Sequence, residues 1–455
     1  MRLGVVAALL AVVLAGGASA QPDASLRVLS VSSTSAVVAS PLRVEYGTSP
    51  ALGLWSTPSK GGSVSLEGLL PHTRYYVRSG GRVTVLQTKA SPVAVTRVGA
   101  GGKILLNGSP FFPLMQWLQC PSLFRQNVSL GINVFLGQGC DNVSRREEVD
   151  ALARLGVYSV LPFDASLKGR PGLFGWHFGD EPDGNGVRPA QVVAEYRHNR
   201  AADPRHVNFL TLTSGFYSQK DPPSWMHGDR SYYRLYARAT DAAGFDIYPV
   251  TGWCRPDWLP QVGGAQRELR GYAAGKATYQ WIEAISTPSR FCHGRGVTAA
   301  EVRAEVWLAI ANGATAIGYF THSWIPSYSQ FRVSAAVQRQ MRATNRQITA
   351  LAPALLASST GHTCPAPLAC KATALHGGRY LLAVNPTRSV VHARLGLSGA
   401  SGSVRVYGGT RRLTVSAGGF SDTLERGNFC SRATPWVGAP AVFCYSRPAR
   451  ATDGL

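Results

Sequence analysis

The chain has 455 residues, 46 Lys and Arg against 25 Asp and Glu, a formal net charge of +21 and eight cysteines. That length excludes a single hydrophobic core, and beyond the N-terminus no stretch is long and apolar enough for a spanning helix. The positive charges are scattered rather than gathered on one helix or stripe, which argues against nucleic acid as a partner. They either steer the protein to an acidic polymer or simply solvate its faces.

Residues 1–20 read as a secretory signal peptide. Arg2 supplies the positive start, 3–14 is a short apolar run, and Ala18-Ser19-Ala20 is a small-residue cleavage site. The expectation is an exported, extracellular protein without membrane insertion. An even cysteine count suits that oxidising compartment. The cysteines fall in sequence-local couples, Cys120/Cys140, Cys254/Cys292, Cys364/Cys370 and Cys430/Cys444. Nearest-neighbour pairing is one of about 105 connectivities.

Residues 24–92 alternate apolar and polar positions between Gly, Pro and Ser turns, as in "LRVLSVSSTSAVVAS" and "VSLEGLLPHTRYYVRSGG"; this predicts an all-β module. The run from Leu70 to Arg78, with Tyr75 and Tyr76, resembles the fibronectin type III signature. The segment is short for that fold. The resemblance implies a β-sandwich acting as a spacer, a packing domain or a carbohydrate-binding module.

Residues 97–353 change character. Eight apolar, β-branched-rich runs follow one another: "FFPLMQW" (111–117), "INVFL" (132–136), "VYSVLPF" (157–163), "LFGWHF" (173–178), "VNFLTL" (207–212), "AGFDIY" (243–248), "ATYQWIE" (277–283) and "TAIGYF" (315–320). Continuous runs of this kind are strands buried on both faces. Helical stretches lie between them, including "SRREEVDALARLG", "RPAQVVAEYRHNRAAD" and "TAAEVRAEVWLAIANG", the last opened by a Thr298/Glu301 capping box. Eight such units in about 255 residues predict a (β/α)₈ TIM barrel. An open doubly wound sheet is the runner-up, but "QWLQCPS" after the first strand is no phosphate loop. Residues 358–447 return to short alternating strands and predict a C-terminal β-sandwich. The fold class is thus multidomain α/β, with a central barrel flanked by two β-sandwiches.

In a TIM barrel the active site lies at the C-terminal strand ends. There the sequence places Trp117 (strand one), His177 with Gly179-Asp180-Glu181-Pro182-Asp183 (four), Asp246 and Tyr248 (six), Trp281 and Glu283 (seven), and His322 and Trp324 (eight). Carboxylates among aromatics suit a saccharide: glycoside hydrolysis needs one carboxylic acid and a second carboxylate, and sugar C–H faces stack on indoles. Glu301 and Glu305, on the helix after strand seven, read as a cap and a solvated face.

"FGWHFGDEPD" (174–183), "ATYQWIEA" (277–284) and the opening "GGKILLNGSPFFPLMQW" (101–117) together resemble the large TIM-barrel clan of retaining glycosidases. The resemblance implies Glu181 as acid/base and Glu283 as nucleophile, with Asp180, Trp117, His177, Asp246, Tyr248, Trp281, His322 and Trp324 contacting a poly- or oligosaccharide, acidic glycans among the candidates. It implies a monomer with neither metal nor organic cofactor. Many clan members carry Asn where this chain has Asp180, and the extra negative charge raises the pKa of Glu181. There is no His-x-His on strand one for a metal-dependent amidohydrolase, and no Gly-x-Ser-x-Gly for a serine hydrolase. The remaining rival is a non-catalytic carbohydrate-binding or cell-surface protein on a degenerate barrel.

Overall fold

The structure is a computed structural model. It describes residues 26–33, 35–47, 50, 52, 54–56, 62–67, 69, 73–89, 93–375, 378–387, 389–407, 411–424 and 442–447. The signal-peptide segment, residues 70–72 of the tyrosine motif and Cys430, and so the expected Cys430–Cys444 bond, lie outside them. The chain divides into two compact units, 1–90 and 91–455.

In the first unit seven strands form two antiparallel sheets. One runs Arg27–Val31, Ser35–Ala39, Ser63–Glu67; the other runs Leu54–Ser56, Val44–Gly47, Arg74–Ser79, Arg82–Gln87. Period-two alternation sends Ala36, Val38, Val64 and Leu66 from the first sheet, and Tyr46, Tyr75 and Val77 from the second, into a shared core.

The second unit contains a closed parallel barrel of β1 (Leu114–Trp117), β2 (Val134–Leu136), β3 (Tyr158–Pro162), β4 (Leu173–His177), β5 (Val207–Leu212), β6 (Ala242–Asp246), β7 (Ala277–Glu283) and β8 (Ala316–Phe320). Pairing of β8 with β1, Ile317 opposite Leu114, closes the cylinder and rules out the open sheet. The helices are α1 (Pro121–Ser129), α2 (Arg145–Arg154), α3 (Pro189–Ala202), α4 (Tyr232–Arg238), α5 (Gln261–Tyr272), α6 (Ala299–Ala311) and α7 (Ala335–Leu355). The β3–β4 connection holds only a 3₁₀ turn, Ala165–Leu167, capped by Asp164.

Glycines make room for the interior. Gly244 pairs in register with Tyr279, and Gly318 with Trp281. A Cβ at Gly244 would lie 1.9 Å from the Tyr279 ring, and one at Gly318 2.2 Å from the Trp281 ring. Large rings on β7 thus fill the barrel because its neighbours on both sides have no side chain there. At the opposite end a hairpin, Ile104–Leu106 with Ser109–Phe111, turns at Asn107-Gly108, both at positive φ, and tucks Ile104 under the barrel.

Strands of 358–424 and 442–447 form a six-stranded and a three-stranded antiparallel sheet. Leu382 and Val384 join the core that contains Trp307, Leu308 and Ile310 of α6. This explains why α6 is apolar almost all round: it packs against the barrel and also against the sandwich. Glu305 therefore has no solvated face and is fully buried, contrary to the sequence expectation, whereas Glu301 caps the helix through Thr298 as expected. Disulfides join Cys120–Cys140, Cys254–Cys292 and Cys364–Cys370. Among the described residues no helix is long and apolar enough to cross a membrane.

Candidate active site

A cavity of about 830 Å³ opens at the C-terminal ends of the barrel strands. Trp117, Asp180, Glu181, Asp246, Tyr248, Trp281, His322 and Trp324 all line it; His177 and Glu283 do not.

The floor is aromatic. Trp117 and Trp281 meet edge to face, their ring centroids 5.2 Å apart. Trp281 Nε1 donates to Thr211 Oγ1 at 3.1 Å, which fixes the indole. One wall is a stack: Tyr248 on Phe320 at 5.2 Å, then Phe320 on Trp324 at 6.2 Å. His322 supports it from behind. Its Nε2 lies 3.0 Å from the Leu118 carbonyl, and burial pushes its pKa down, so the ring stays neutral. At the rim Trp324, Tyr328 and Phe291 keep 37%, 57% and 64% of their surface exposed. Large apolar rings left in water around one opening need a partner with a flat C–H face.

The opposite wall is acidic. Glu181 sits just beyond β4 with φ +43°, a left-handed conformation unusual for glutamate and costing on the order of 1–3 kcal/mol. Asp183 holds that turn. Its buried carboxylate accepts from the Thr213 amide at 2.9 Å and the Tyr233 hydroxyl at 3.0 Å. Held this way, Glu181 meets Asp246, from the end of β6, in a direct carboxyl–carboxyl hydrogen bond. Both are raised above the ordinary carboxyl range, first by desolvation; their hydrogen bond then lowers Glu181, while the charge of Glu181 raises Asp246 further, which leaves the proton on Asp246. Two carboxylates in contact cannot both ionise cheaply, so the pair retains one shared proton. Asp180, more open to solvent at the mouth, is pushed up to about 7 by desolvation and then by Glu181 and Asp183.

Glu283 departs from its expected place. It is 0% exposed, and its carboxylate accepts from the Val250 amide (2.7 Å), the Thr251 amide (2.6 Å) and Thr251 Oγ1 (2.5 Å). Those donors come from the loop after β6, and they turn the side chain away from the cavity. Its neighbour is Glu305 of α6. Ionised, Glu305 would have no donor for either oxygen; protonated, it donates to Glu283. The pKa of Glu305 accordingly lies well above the ordinary range, through burial first and the charge of Glu283 second. Neither Arg290 nor Arg295 forms an ion pair with Glu283; Arg295 binds Glu301 at 2.6 Å. His177 is also misplaced by the sequence reading. It packs beside Gly137, its Nδ1 bonds the Phe178 carbonyl, and burial lowers its pKa to about 4, making it a neutral packing residue.

Sequence reasoning missed Phe320, Thr211 and the rim residues Arg290, Phe291 and Tyr328, which all line the cavity. The rim is built by a network. Ser289 Oγ donates to the Thr251 carbonyl and accepts from the Cys292 amide at 3.0 Å, and Cys292 is disulfide-bonded to Cys254. The Cys254/Cys292 spacing was the available signal that the loops after β6 and β7 are tied together. Among the described residues no group of three or more His, Cys, Asp or Glu side chains forms a metal-holding cluster.

No family model and no curated protein matches the chain. Solved structures similar to it include a putative glycoside hydrolase from Bacteroides vulgatus (9% identity, 91% of this chain and 99% of that one, TM-score 0.49). They also include a putative alpha-galactosidase from Bacteroides fragilis (9%, 92% and 95%, TM-score 0.47) and an alpha-amylase from Geobacillus thermoleovorans complexed with acarbose (9%, 73% and 98%, TM-score 0.49). At these identities and TM-scores the likeness does not extend to what the site does.

Proposed function

We propose that the protein is an exported glycoside hydrolase that cleaves O-glycosidic bonds of a poly- or oligosaccharide at the barrel mouth. The observation that carries this reading is the Glu181–Asp246 pair, two proton-sharing carboxyls on one wall of a cavity whose floor and facing wall are aromatic. Glu181 is the acid/base, as the Asp-Glu-Pro resemblance implies. Asp246 takes the second carboxylate role that the sequence reading gave to Glu283, because Glu283 must shed three hydrogen bonds to reach the cavity.

A sugar entering between Glu181 and Asp246 parts them. A separation of about 5–5.5 Å supports retention and roughly 6.5–9.5 Å inversion. From direct contact the shorter opening is the smaller movement, so a retaining double displacement is the preferred course. Glu181 then protonates the leaving oxygen while Asp246 attacks the anomeric carbon; afterwards Glu181 takes a proton from water as that water displaces Asp246. In the free site the shared proton sits on Asp246, whose pKa the contact raises while it lowers that of Glu181, so the entering sugar has to part the pair and leave the proton on Glu181 before the first step. Export is supported by the leader-like N-terminus and by three disulfides, which suit an oxidising compartment.

The test is hydrolysis of a panel of plant, algal and bacterial-wall polysaccharides, with the anomer of the first product read by NMR. A mechanism-based fluoro-glycoside of the active sugar should label Asp246. Labelling of Glu283 would restore the original assignment, and an inactive panel would leave a carbohydrate-binding protein on a silent barrel.

A further inference from the structure

Arg290 lines the cavity at its rim, on the loop after β7. Its guanidinium lies over the Trp324 ring, 4.6 Å from the centroid, and the same distance from the Phe291 ring. A guanidinium laid on an indole keeps its N–H edges free while its plane is fixed, so little ordering remains to be done when an anion arrives. The loop carrying it is fixed as well, by the Cys254–Cys292 disulfide and by Ser289 bonding to Thr251, Phe291 and Cys292.

The charge of Arg290 is not used inside the protein. Among the described residues it joins no ion pair, whereas nearby Arg255 and Arg295 bind Asp257 and Glu301. Nor does it perturb the cavity acids: the charges that move Asp180, Glu181 and Asp246 are those of one another and of Asp183. Carboxyls repel anions, so a rim cation seated on the Trp324 ring and not on the carboxyl pair reads as a device for holding a negative group at that ring. The sugar ring stacks on Trp324 and its charge meets the arginine.

We infer that Arg290 and Trp324 form a subsite for a sugar bearing an oxyanion, a uronate carboxylate or a sulfate ester, on a unit next to the scissile bond. This rests on the hydrolase reading for the meaning of "scissile", but the binding stands on its own geometry. The experiment uses the full-length protein carrying Glu181→Gln, to keep the probe whole, and isothermal titration with three probes: trigalacturonate, its methyl ester and a sulfated galactotetraose. At least one anionic probe should bind on the order of tenfold tighter than the neutral ester, the size expected of a charge-assisted bidentate contact. Arg290→Gln should abolish that preference, and 0.5 M NaCl should shrink it. Tighter binding of trigalacturonate alone identifies a carboxylate site, of the galactotetraose alone a sulfate site. Equal affinity for charged and neutral probes, no binding of either anion, or a preference that survives Arg290→Gln overturns the inference. The two readings fail separately. Arg290-dependent anion binding without turnover of any panel substrate removes the hydrolase and leaves the subsite; turnover of neutral glycans with no Arg290-dependent preference does the reverse.

Discussion

Two strand ends of one barrel carry a glutamate after a buried apolar run, and the fold treats them in opposite ways. At the end of β7, Glu283 is given two amides, a hydroxyl and a protonated neighbour, and is sealed from water. Beyond β4, Glu181 is held in a left-handed turn, faces another acid and opens onto a cavity. Both pKa values are raised by desolvation, yet the consequences differ. Glu283 spends its charge on ordering the loop that carries Thr251, while Glu181 shares a proton with Asp246 at an open cavity. A raised carboxyl therefore marks a reactive site only when its surroundings leave it under-satisfied and reachable.

The strongest test of this contrast is Glu181→Gln, which removes the proton donor and should lower kcat/KM by roughly 10³-fold, within the usual range for a general acid. The melting temperature should hold or rise, because a strained, desolvated carboxyl has gone. A loss of folding instead would place Glu181 in the same class as Glu283. Next comes Asp246→Asn, expected to cost about 10²-fold or more in kcat. It also carries a sign. Asn keeps the hydrogen-bond donor that protonated Asp246 gives Glu181, whereas Asp246→Ala removes it, so the pKa of Glu181 holds in the first variant and rises in the second. The basic limb of any residual activity should therefore move to higher pH in the Ala variant alone; an unmoved limb in both would show that the two acids are not coupled.

Glu283→Gln should act on the other side of the comparison. Each carboxylate oxygen of Glu283 accepts from one backbone amide, so the NH₂ group of glutamine sets a donor against a donor whichever way it turns, at roughly 2–3 kcal/mol. Melting temperature should drop and KM should rise through the loosened Thr251–Ser289 rim, with kcat less affected. If kcat instead collapses while the fold is unchanged, Glu283 is the nucleophile after all. Trp324→Ala, smaller again, removes the stacking platform and should raise KM roughly tenfold at nearly constant kcat.

Much of this was legible in the sequence. The eight strand runs were visible because buried parallel strands are continuously apolar, and "VNFLTL" and "ATYQWIE" match β5 and β7 residue for residue. Trp117, Tyr248, Trp281 and Trp324 of the mouth followed from strand ends alone, whereas Phe320, Phe291 and Tyr328 did not. What was not legible is rotational. Trp281 and Glu283 share a strand face, but Trp281 enters the cavity while Glu283 is captured by amides of a loop more than thirty residues earlier in sequence. Likewise Glu305 reads as solvated until its carboxyl is seen meeting Glu283 at the end of β7. Arg290 gave no signal, since a loop arginine acquires meaning only from the ring beneath it.

The finest test is Glu305→Gln, because it separates the proton from the hydrogen bond. In the native protein Glu305 is neutral and donates to Glu283; in the unfolded chain it ionises near an ordinary carboxyl pKa of about 4.3. The folded state therefore holds a proton that the unfolded state has lost, so stability falls as pH rises above that value, continuing towards the raised folded pKa. Glutamine keeps a donor for Glu283 and has no proton to lose. Melting curves from pH 5 to 9 should show the variant gaining on the native protein by an increment that grows with pH, on the order of 1 kcal/mol or more by the alkaline end. Activity should change little at neutral pH, since the Thr251 loop stays tied to Glu283. An increment that does not vary with pH would mean that Glu305 is ionised in the fold, and Glu283 would then need a cation that the described residues do not provide.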